Sequence, residues 1–420
     1  MTLNDWLSRI EACHPSDIEL GLDRVREVAS AMALDFGDSR IVTIAGTNGK
    51  GSTQTFLEQM LRASGLSTGC YSSPHFLRYN ERVRIDGEPA GDDELCAAFA
   101  AVEAARGDTA LTYFEFGTLA ALRIFADRRP DVVLLEVGLG GRLDAVNIVD
   151  PDVALLTTVA LDHTDWLGDT RELIGREKAG IFRGARPAVC GDPEPPSSVA
   201  EVAAGLGAEL HQVGQTFGWR AEGERWHWHG RDRDGREVTL SDLPLPGLPT
   251  PNAATALQAL YLLLQAPARE AIETGLRKAA MTGRMQRVEL DGADCILDVA
   301  HNPEAAQYIA GRLAQQPPAG RRFVLLGMLG DKDVGGVLSA LAPVTDVWYL
   351  AGLEGPRAQS GERLAQRLET VAPGAEFSVH GDVATALAAL RRELQPDDRV
   401  LIAGSFFTVS AALSALELTG

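Results

Sequence analysis

At 420 residues the chain is longer than one hydrophobic core usually organises, so two domains are expected. Hydrophobic residues at 45% and charged residues at 23% match an ordinary globular protein and exclude a fibre or a disordered chain. Lys+Arg 39 against Asp+Glu 58 leaves a net charge of −19, which disfavours nucleic acid as a partner but leaves room for small anions held by a few fixed donors.

The stretch from Met1 to Glu11 mixes Asp5, Arg9 and Glu11 with apolar residues and lacks the apolar run of a signal peptide. No segment reads as a membrane span, so no membrane partner is expected. Cys13, Cys70, Cys96, Cys190 and Cys295 are scattered without CxxC spacing, which points to a reducing, cytoplasmic setting without structural zinc.

Apolar runs at Ile41–Ala45, Asp131–Val137 and Val153–Val159 predict buried strands of a parallel sheet, with a helix over Ser52–Leu61. Between Trp219 and Leu240 the pattern alternates about an Asp234-Gly235 turn, predicting a small antiparallel excursion. Helices are expected around Asn252–Gln265 and Arg269–Ala280. A second series of strands follows at Cys295–Val299, Phe323–Met328, Val347–Ala351 and Val400–Ala403, and the boundary between domains is placed near Gln286.

The strongest local signal is Gly46-Thr47-Asn48-Gly49-Lys50-Gly51-Ser52, lying between a strand and a helix. Its glycines let backbone N–H groups converge, the helix N-terminus adds partial positive charge, and Lys50 can reach the β- and γ-phosphates of a nucleotide. Tyr71-Ser72-Ser73-Pro74-His75 follows the next strand; Ser73 there is either a turn or cap hydroxyl or a metal contact. Arg78, Arg82 and Arg84 form either a solvated face or an anion site.

Glu136 ends an apolar strand ahead of the Gly138-Leu139-Gly140-Gly141 turn, so its carboxylate needs a salt bridge or a cation. His163, in Leu161-Asp162-His163-Thr164-Asp165, is expected at a neighbouring strand tip; one imidazole with oxygen donors and phosphate suits Mg²⁺ better than zinc. From the residues alone Lys178 is a partner for the C-terminal dipole of a short helix, and Trp226-His227-Trp228-His229 is a structural strand. Asp298 ends a second-half strand much as Glu136 does, and Arg284 with Gly404-Ser405-Phe406 forms a polar rim fit for a nucleotide base and ribose or a second substrate.

Taken together, these motifs resemble those of the bifunctional dihydrofolate synthase/folylpolyglutamate synthase family of the Mur-ligase superfamily. The likeness spans nearly the whole chain, through Gly46–Ser52, Tyr71–His75 with Asn80-Glu81-Arg82, Leu111–Glu115, Glu136–Asp144, Leu161–Trp166, Arg176–Phe182, Asp298–Glu304 and Gly404–Val409. It departs from the family pattern at Thr282, where a proline is common, and at Val146, where a threonine is usual.

The resemblance implies an α/β chain: a P-loop ATPase domain with a mostly parallel sheet over 1–286, plus a C-terminal Rossmann-like α/β domain over 287–420. It implies ATP bound by Thr47, Asn48, Gly49, Lys50, Gly51 and Ser52, with Asn252, Arg284 and Asp298, and Mg²⁺, two ions per site, with Ser73, Glu136 and His163 as ligands and the carbamate of Lys178 supporting the second ion. It makes Lys50, His163 and Lys178 catalytic, Lys178 as a carbamylated lysine. Pteroate is implied at Ala12, Cys13, His14, Pro15, Thr112, Tyr113, Phe114 and Leu143, and glutamate at Arg82, His301 and Ser405. The implied activity is ATP-dependent ligation of L-glutamate to dihydropteroate and reduced folates by a cytoplasmic monomer. The alternatives are a Mur-type ligase for another acid and a non-catalytic ATP-dependent switch.

Overall fold

The computed structural model describes residues 1–14, 19–355 and 357–417. It consists of two compact units, Met1–Ala279 and Ala280–Gly420. In the first, β1 (Arg40–Ala45), β2 (Thr68–Tyr71), β3 (Val83–Ile85), β4 (Glu88–Pro89), β5 (Val132–Glu136), β6 (Val153–Leu156), β7 (Pro187–Cys190) and β8 (Glu209–Gln212) form one eight-stranded sheet in the order β4-β3-β2-β5-β1-β6-β7-β8. Pairing is parallel from β2 to β8, with β3 and β4 added antiparallel at one edge. All of β2, β5 and β6 is buried, as apolar strands covered on both faces require.

β6 is shorter than the expected Val153–Val159 because the residues after Leu156 serve a loop instead of a ladder. Thr157 Oγ1 donates to the Asn48 carbonyl at 2.6 Å and the Thr158 carbonyl accepts from Thr47 N–H at 2.8 Å. The helix predicted over Ser52–Leu61 runs Lys50–Ala63 and is buried along most of its length. Its polar residues tie it to the sheet. Gln54 Nε2 donates to the carbonyls of Tyr71 on β2 and Leu134 on β5, at 2.9 and 3.0 Å. Glu58 Oε2 pairs with Arg84 Nη2 of β3 at 2.9 Å, and Arg84 Nη1 reaches Ser72 Oγ at 3.2 Å.

The antiparallel excursion is a three-stranded sheet of β9 (Gly218–Glu222), β10 (Arg225–Arg231) and β11 (Glu237–Pro244). Trp226 and Trp228 are buried there, and Trp228 stacks on Tyr261 of the helix Thr250–Leu263 with centroids 5.3 Å apart. His227 pairs with Glu222 at 3.2 Å, in keeping with a structural strand.

The second unit holds β12 (Gln286–Leu290), β13 (Ala293–Asp298), β14 (Arg322–Leu326), β15 (Val347–Ala351), β16 (Glu376–His380) and β17 (Arg399–Ala403), in the order β12-β13-β17-β14-β15-β16. Only β12 pairs antiparallel. The two edge strands β12 and β16 are not among those expected from sequence, since both are largely half-exposed and lack a continuous apolar run. Residues 280–285 belong with this unit, ahead of the boundary placed at Gln286: Met285 N–H donates to Asp298 Oδ2 at 2.8 Å and Val299 N–H to the Gly283 carbonyl at 2.9 Å. Among the described residues no helix is long and apolar enough to cross a membrane.

The Glu58–Arg84 pair sets a test of the first unit. Arg84→Met strands the Glu58 carboxylate, 3% exposed, and should cost about 3 kcal/mol of unfolding free energy, whereas Glu58→Met with Arg84→Met together should recover most of that loss. Denaturant melts of the two single variants and the double variant decide it; a double variant as weak as Arg84→Met alone would contradict the pairing.

Candidate functional site

The turn from β1 into the helix Lys50–Ala63 is a backbone cradle that two glycines make possible. A Cβ on Gly46, at φ 148°, would lie 1.8 Å from Thr157 Oγ1; one on Gly49, at φ 84°, would lie 2.7 Å from Asn252 Oδ1. The loop is pinned to the end of β6 by Asn48 N–H to Thr158 Oγ1 at 3.1 Å and by Ala160 N–H to Thr47 Oγ1 at 3.0 Å. Lys50 Nζ donates to the Gly46 carbonyl at 2.9 Å, which holds its ammonium over the loop. Asn252, distant in sequence, donates through Nδ2 to Ser52 Oγ at 2.6 Å and so joins Gly49, Gly51 and Ser52 at the helix N-terminus. A helix start without an acidic residue in its first turn is the local field an anion needs.

Sheet order places the other candidates around this loop. Ser73 follows β2, Glu136 ends β5, the loop follows β1, and His163 lies beyond β6, all at the carboxyl ends of four successive parallel strands. Glu136 is 5% exposed and sits in register with Ile44. His163 has left-handed backbone, φ 51°, and caps the one-turn helix Thr164–Leu167 with its ring partly exposed. A hydroxyl, a carboxylate and an imidazole make a donor set that suits a hard divalent cation completed by water and phosphate. Among the described residues no group of three or more His, Cys, Asp and Glu side chains forms an all-protein metal cage.

Lys178 departs from the reading of a dipole partner. It lies in the last turn of the helix Arg171–Ala179, yet its side chain is buried, with the Gly138–Gly141 turn packed on its backbone. Burial first, and the Lys50 ammonium second, bring its pKa down to about 7, while Asp162 and Asp144 act in the opposite direction. Asp144 is buried in the same neighbourhood, and burial pushes its pKa up to about 6 against the opposing N–H groups of Leu139, Val146 and Gly138 and the charge of Lys50.

A cavity of about 600 Å³ opens beside these groups, with Ser73, Asp144 and His163 in its lining. Thr112, Tyr113, Phe114 and Leu143 line it as well, and so does His14. Ala12 and Cys13 do not: Ala12 caps the helix Leu3–Glu11 and Cys13 Sγ turns to the Arg9 carbonyl. Pro15 lies outside the described residues. Instead Glu11, Glu19, Leu20 and Glu115 complete the wall. The Thr112-x-x-Glu115 spacing of a capping box was the one signal for Glu115, whose Oε2 accepts from Thr112 N–H at 2.8 Å.

The three arginines separate. Arg78 pairs with Asp92 on the surface at 2.9 Å, Arg84 is committed to Glu58, and Arg82 alone reaches the cavity. Its guanidinium stands 5.4 and 5.5 Å from the ring centroids of Tyr79 and Tyr113, and Nε donates to His75 Nδ1 at 2.8 Å. Burial, then the Arg82 charge, lower the His75 pKa to about 4, so this ring accepts as a neutral imidazole.

In the second unit Asp298 ends β13 beside Ala403 of β17. Its carboxylate accepts from Met285 N–H at 2.8 Å and Ala300 N–H at 2.9 Å. His301 Nδ1 is 3.0 Å from the Val299 carbonyl, and Arg284 lies 5.3 Å from the centroid of Phe406. Ser405 caps the helix Phe406–Ala415: its Oγ accepts from Thr408 N–H at 3.0 Å. Thr408 Oγ1 already donates to the Gly327 carbonyl at 2.7 Å, so Ser405 must donate to Thr408 Oγ1, also at 2.7 Å, which leaves its oxygen one lone pair.

The lowered pKa of Lys178 has a thermodynamic signature. From about pH 7 to 10.5 the unfolded chain keeps a proton that the folded chain has released, so burying Lys178 costs most at low pH and the cost fades as pH rises through that window. In CO₂-free buffer Lys178→Met should gain stability over the parent at about pH 7, and the gain should shrink toward about pH 10. Unfolding titrations at both pH values test this; a pH-independent difference would contradict it.

Two family models match the chain: the Mur ligase middle domain over residues 44–214 and the Mur ligase, glutamate ligase domain over residues 283–406. The dihydrofolate synthase/folylpolyglutamate synthase of Escherichia coli K12 is 47% identical over 415 residues, covering 99% of this chain and 96% of the relative. Among solved structures, E. coli FolC in complex with DHPP and ADP matches with a TM-score of 0.93 at 46% identity, covering 99% of this chain and 98% of that one. A bifunctional folylpolyglutamate synthase/dihydrofolate synthase with Mn, AMPPNP and L-glutamate bound matches with a TM-score of 0.90 at 48% identity, covering 100% and 98%. On this similarity, carried through both units, the chain belongs to the dihydrofolate synthase/folylpolyglutamate synthase family of Mur-type ligases.

Proposed function

We infer that the chain is an ATP-dependent amide ligase that joins L-glutamate to dihydropteroate, giving dihydrofolate, and adds further glutamates to reduced folates. The observation that carries this reading is that a phosphate cradle and a cavity of about 600 Å³ share the carboxyl end of one sheet, with Ser73, Asp144 and His163 in the cavity wall.

In the reaction a carboxylate oxygen of the folate-type acid attacks the γ-phosphorus of ATP, the bond to the β-phosphate oxygen breaks, and an acyl phosphate and ADP result. The glutamate amine then attacks the acyl carbon, phosphate departs, and the amine loses a proton as the amide forms. Thr47 and Asn48 fix the loop through N–H bonds to Thr158, while the backbone N–H groups from Gly49 to Ser52, with Lys50, hold the β- and γ-phosphates and offset the charge that shifts toward the leaving oxygen. Asn252 in the first unit and Arg284 and Asp298 in the second are the further ATP contacts we propose.

Ser73, Glu136 and His163 would hold Mg²⁺, which when bound screens the phosphate charge. We propose a second ion beside a carbamylated Lys178, whose lowered pKa leaves much of the amine neutral near pH 8, the form that adds CO₂. His14, Thr112, Tyr113, Phe114 and Leu143 receive the pteridine acid. Arg82 and His301, with the remaining lone pair of Ser405, are the proposed glutamate contacts. We further propose a monomer of the cytoplasm, in line with five free cysteines.

The direct test is incubation with ATP, Mg²⁺, L-glutamate and either dihydropteroate or a reduced folate, with a UDP-sugar acid as the competing substrate and products read by mass. One added glutamate on each folate-type acid is expected, and Lys50→Ala should abolish both ligation and ADP release with the melting curve retained. Turnover of the UDP-sugar acid alone, or ADP release unaffected by Lys50→Ala, would overturn the assignment. The modification has its own readout: in ¹³C-bicarbonate the protein should show a carbamate carbon that is missing from Lys178→Met.

A further inference from the structure

Behind the cavity wall lies an arginine that the reaction as described does not use. Arg24, in the first turn of the helix Asp23–Met32, is not part of the lining, yet its guanidinium joins two residues that are. Nη2 donates to Glu115 Oε1 at 2.8 Å and to the Glu19 backbone carbonyl at 3.1 Å, and Nη1 pairs with the Glu19 carboxylate. Glu115 is 4% exposed, and its other oxygen is taken by Thr112 N–H at 2.8 Å. Glu19 Oε2 in turn stands 3.1 Å from His14 Nε2. One guanidinium thus connects His14 and Glu19 on one side of the cavity with Thr112 and Glu115 on the other.

A buried Glu115 needs a cationic partner for stability alone, but the bond to the Glu19 backbone goes further. It fixes main chain, and therefore the separation of two wall segments, in a way that a diffuse ammonium would not reproduce. We propose that Arg24 is a positioning residue for the acid substrate: it sets the gap between the Glu19 and Thr112–Glu115 walls into which the flat ring of the folate-type acid enters. The proposal rests on the reading that the cavity takes that acid. It predicts an effect confined to acid binding, because Arg24 touches neither the phosphate loop nor Ser73, Glu136 and His163.

The experiment compares Arg24→Gln and Arg24→Lys with the parent full-length protein. In Arg24→Gln the KM for dihydropteroate should rise about tenfold or more, the size of effect that follows loss of hydrogen bonds to charged groups, with KM for ATP and glutamate and kcat changed by less than about threefold. Equilibrium binding of dihydropteroate without ATP, followed by fluorescence, should weaken by the same factor. Arg24→Lys, which can serve one wall at a time, should fall between the two. An unchanged acid KM in folded Arg24→Gln, or a parallel loss in all constants that tracks the melting temperature, would overturn the proposal. If Arg24→Gln does not fold, an acid KM in Arg24→Lys equal to that of the parent overturns it. Failure of the parent to ligate dihydropteroate at all would instead remove the functional reading on which the proposal stands.

Discussion

The structure of the first unit depends on the close approach of β1 and β6 at their carboxyl ends. Gly46 leaves no room for a side chain against Thr157, and this contact brings the loop Thr47–Gly49 under the hydroxyls of Thr157 and Thr158. A backbone fixed in this way can aim its N–H groups before any anion arrives, which removes the cost of ordering them on binding. The helix that follows is then held at one depth by Gln54 bonding the carbonyls of β2 and β5. Those two strands carry Ser73 and Glu136 at their tips, so the placement of the phosphate cradle and of the proposed cation donors is one geometric fact.

Charge supplies the second organising constraint. The chain is acidic as a whole, at −19, yet the groups facing the loop are Lys50, Lys178, Asp144 and Glu136 in a largely buried setting. Burial moves Lys178 down and Asp144 up from their ordinary pKa values, with Lys50 close by adding to the first shift and opposing the second. Asp144 accepts N–H bonds from Leu139 and Val146, and Lys50 donates to the Gly46 carbonyl, so the fold fixes these charges beside the loop. Arg82, held between Tyr79 and Tyr113 and bonded to a neutral His75, carries the cationic character into the cavity.

Much of the architecture was legible in the amino-acid order because its signals are local. Continuous apolar runs marked β1, β5 and β6, and the alternation around Trp226 and Trp228 marked the antiparallel sheet. Strands β12 and β16 carried no such mark, since half-exposed edge strands have no need of an apolar run. Arg78, Arg82 and Arg84 look alike as a cluster in the chain, and their partners Asp92 and Glu58 come from separate elements, so sequence spacing had no means of telling the cavity arginine from the other two. The N-terminal wall of the cavity takes in residues beyond the implied segment for a related reason. His14, Glu19 and Leu20 line it while Ala12 and Cys13 close a helix, a difference set by where the chain turns after Glu11.

What the sequence determined by itself is the phosphate loop and its frame: glycines where positive φ or close contact excludes any other residue, a lysine in reach, a strand before and a helix after. These are properties of consecutive residues, so they can be read in order. The tertiary structure alone decided that Lys178 is buried, that Asn252 closes on Ser52, and that Arg24 links Glu19 to Glu115. Each depends on desolvation or on a hydrogen bond between segments far apart in the chain, and such energies exist only once the fold has brought those segments together.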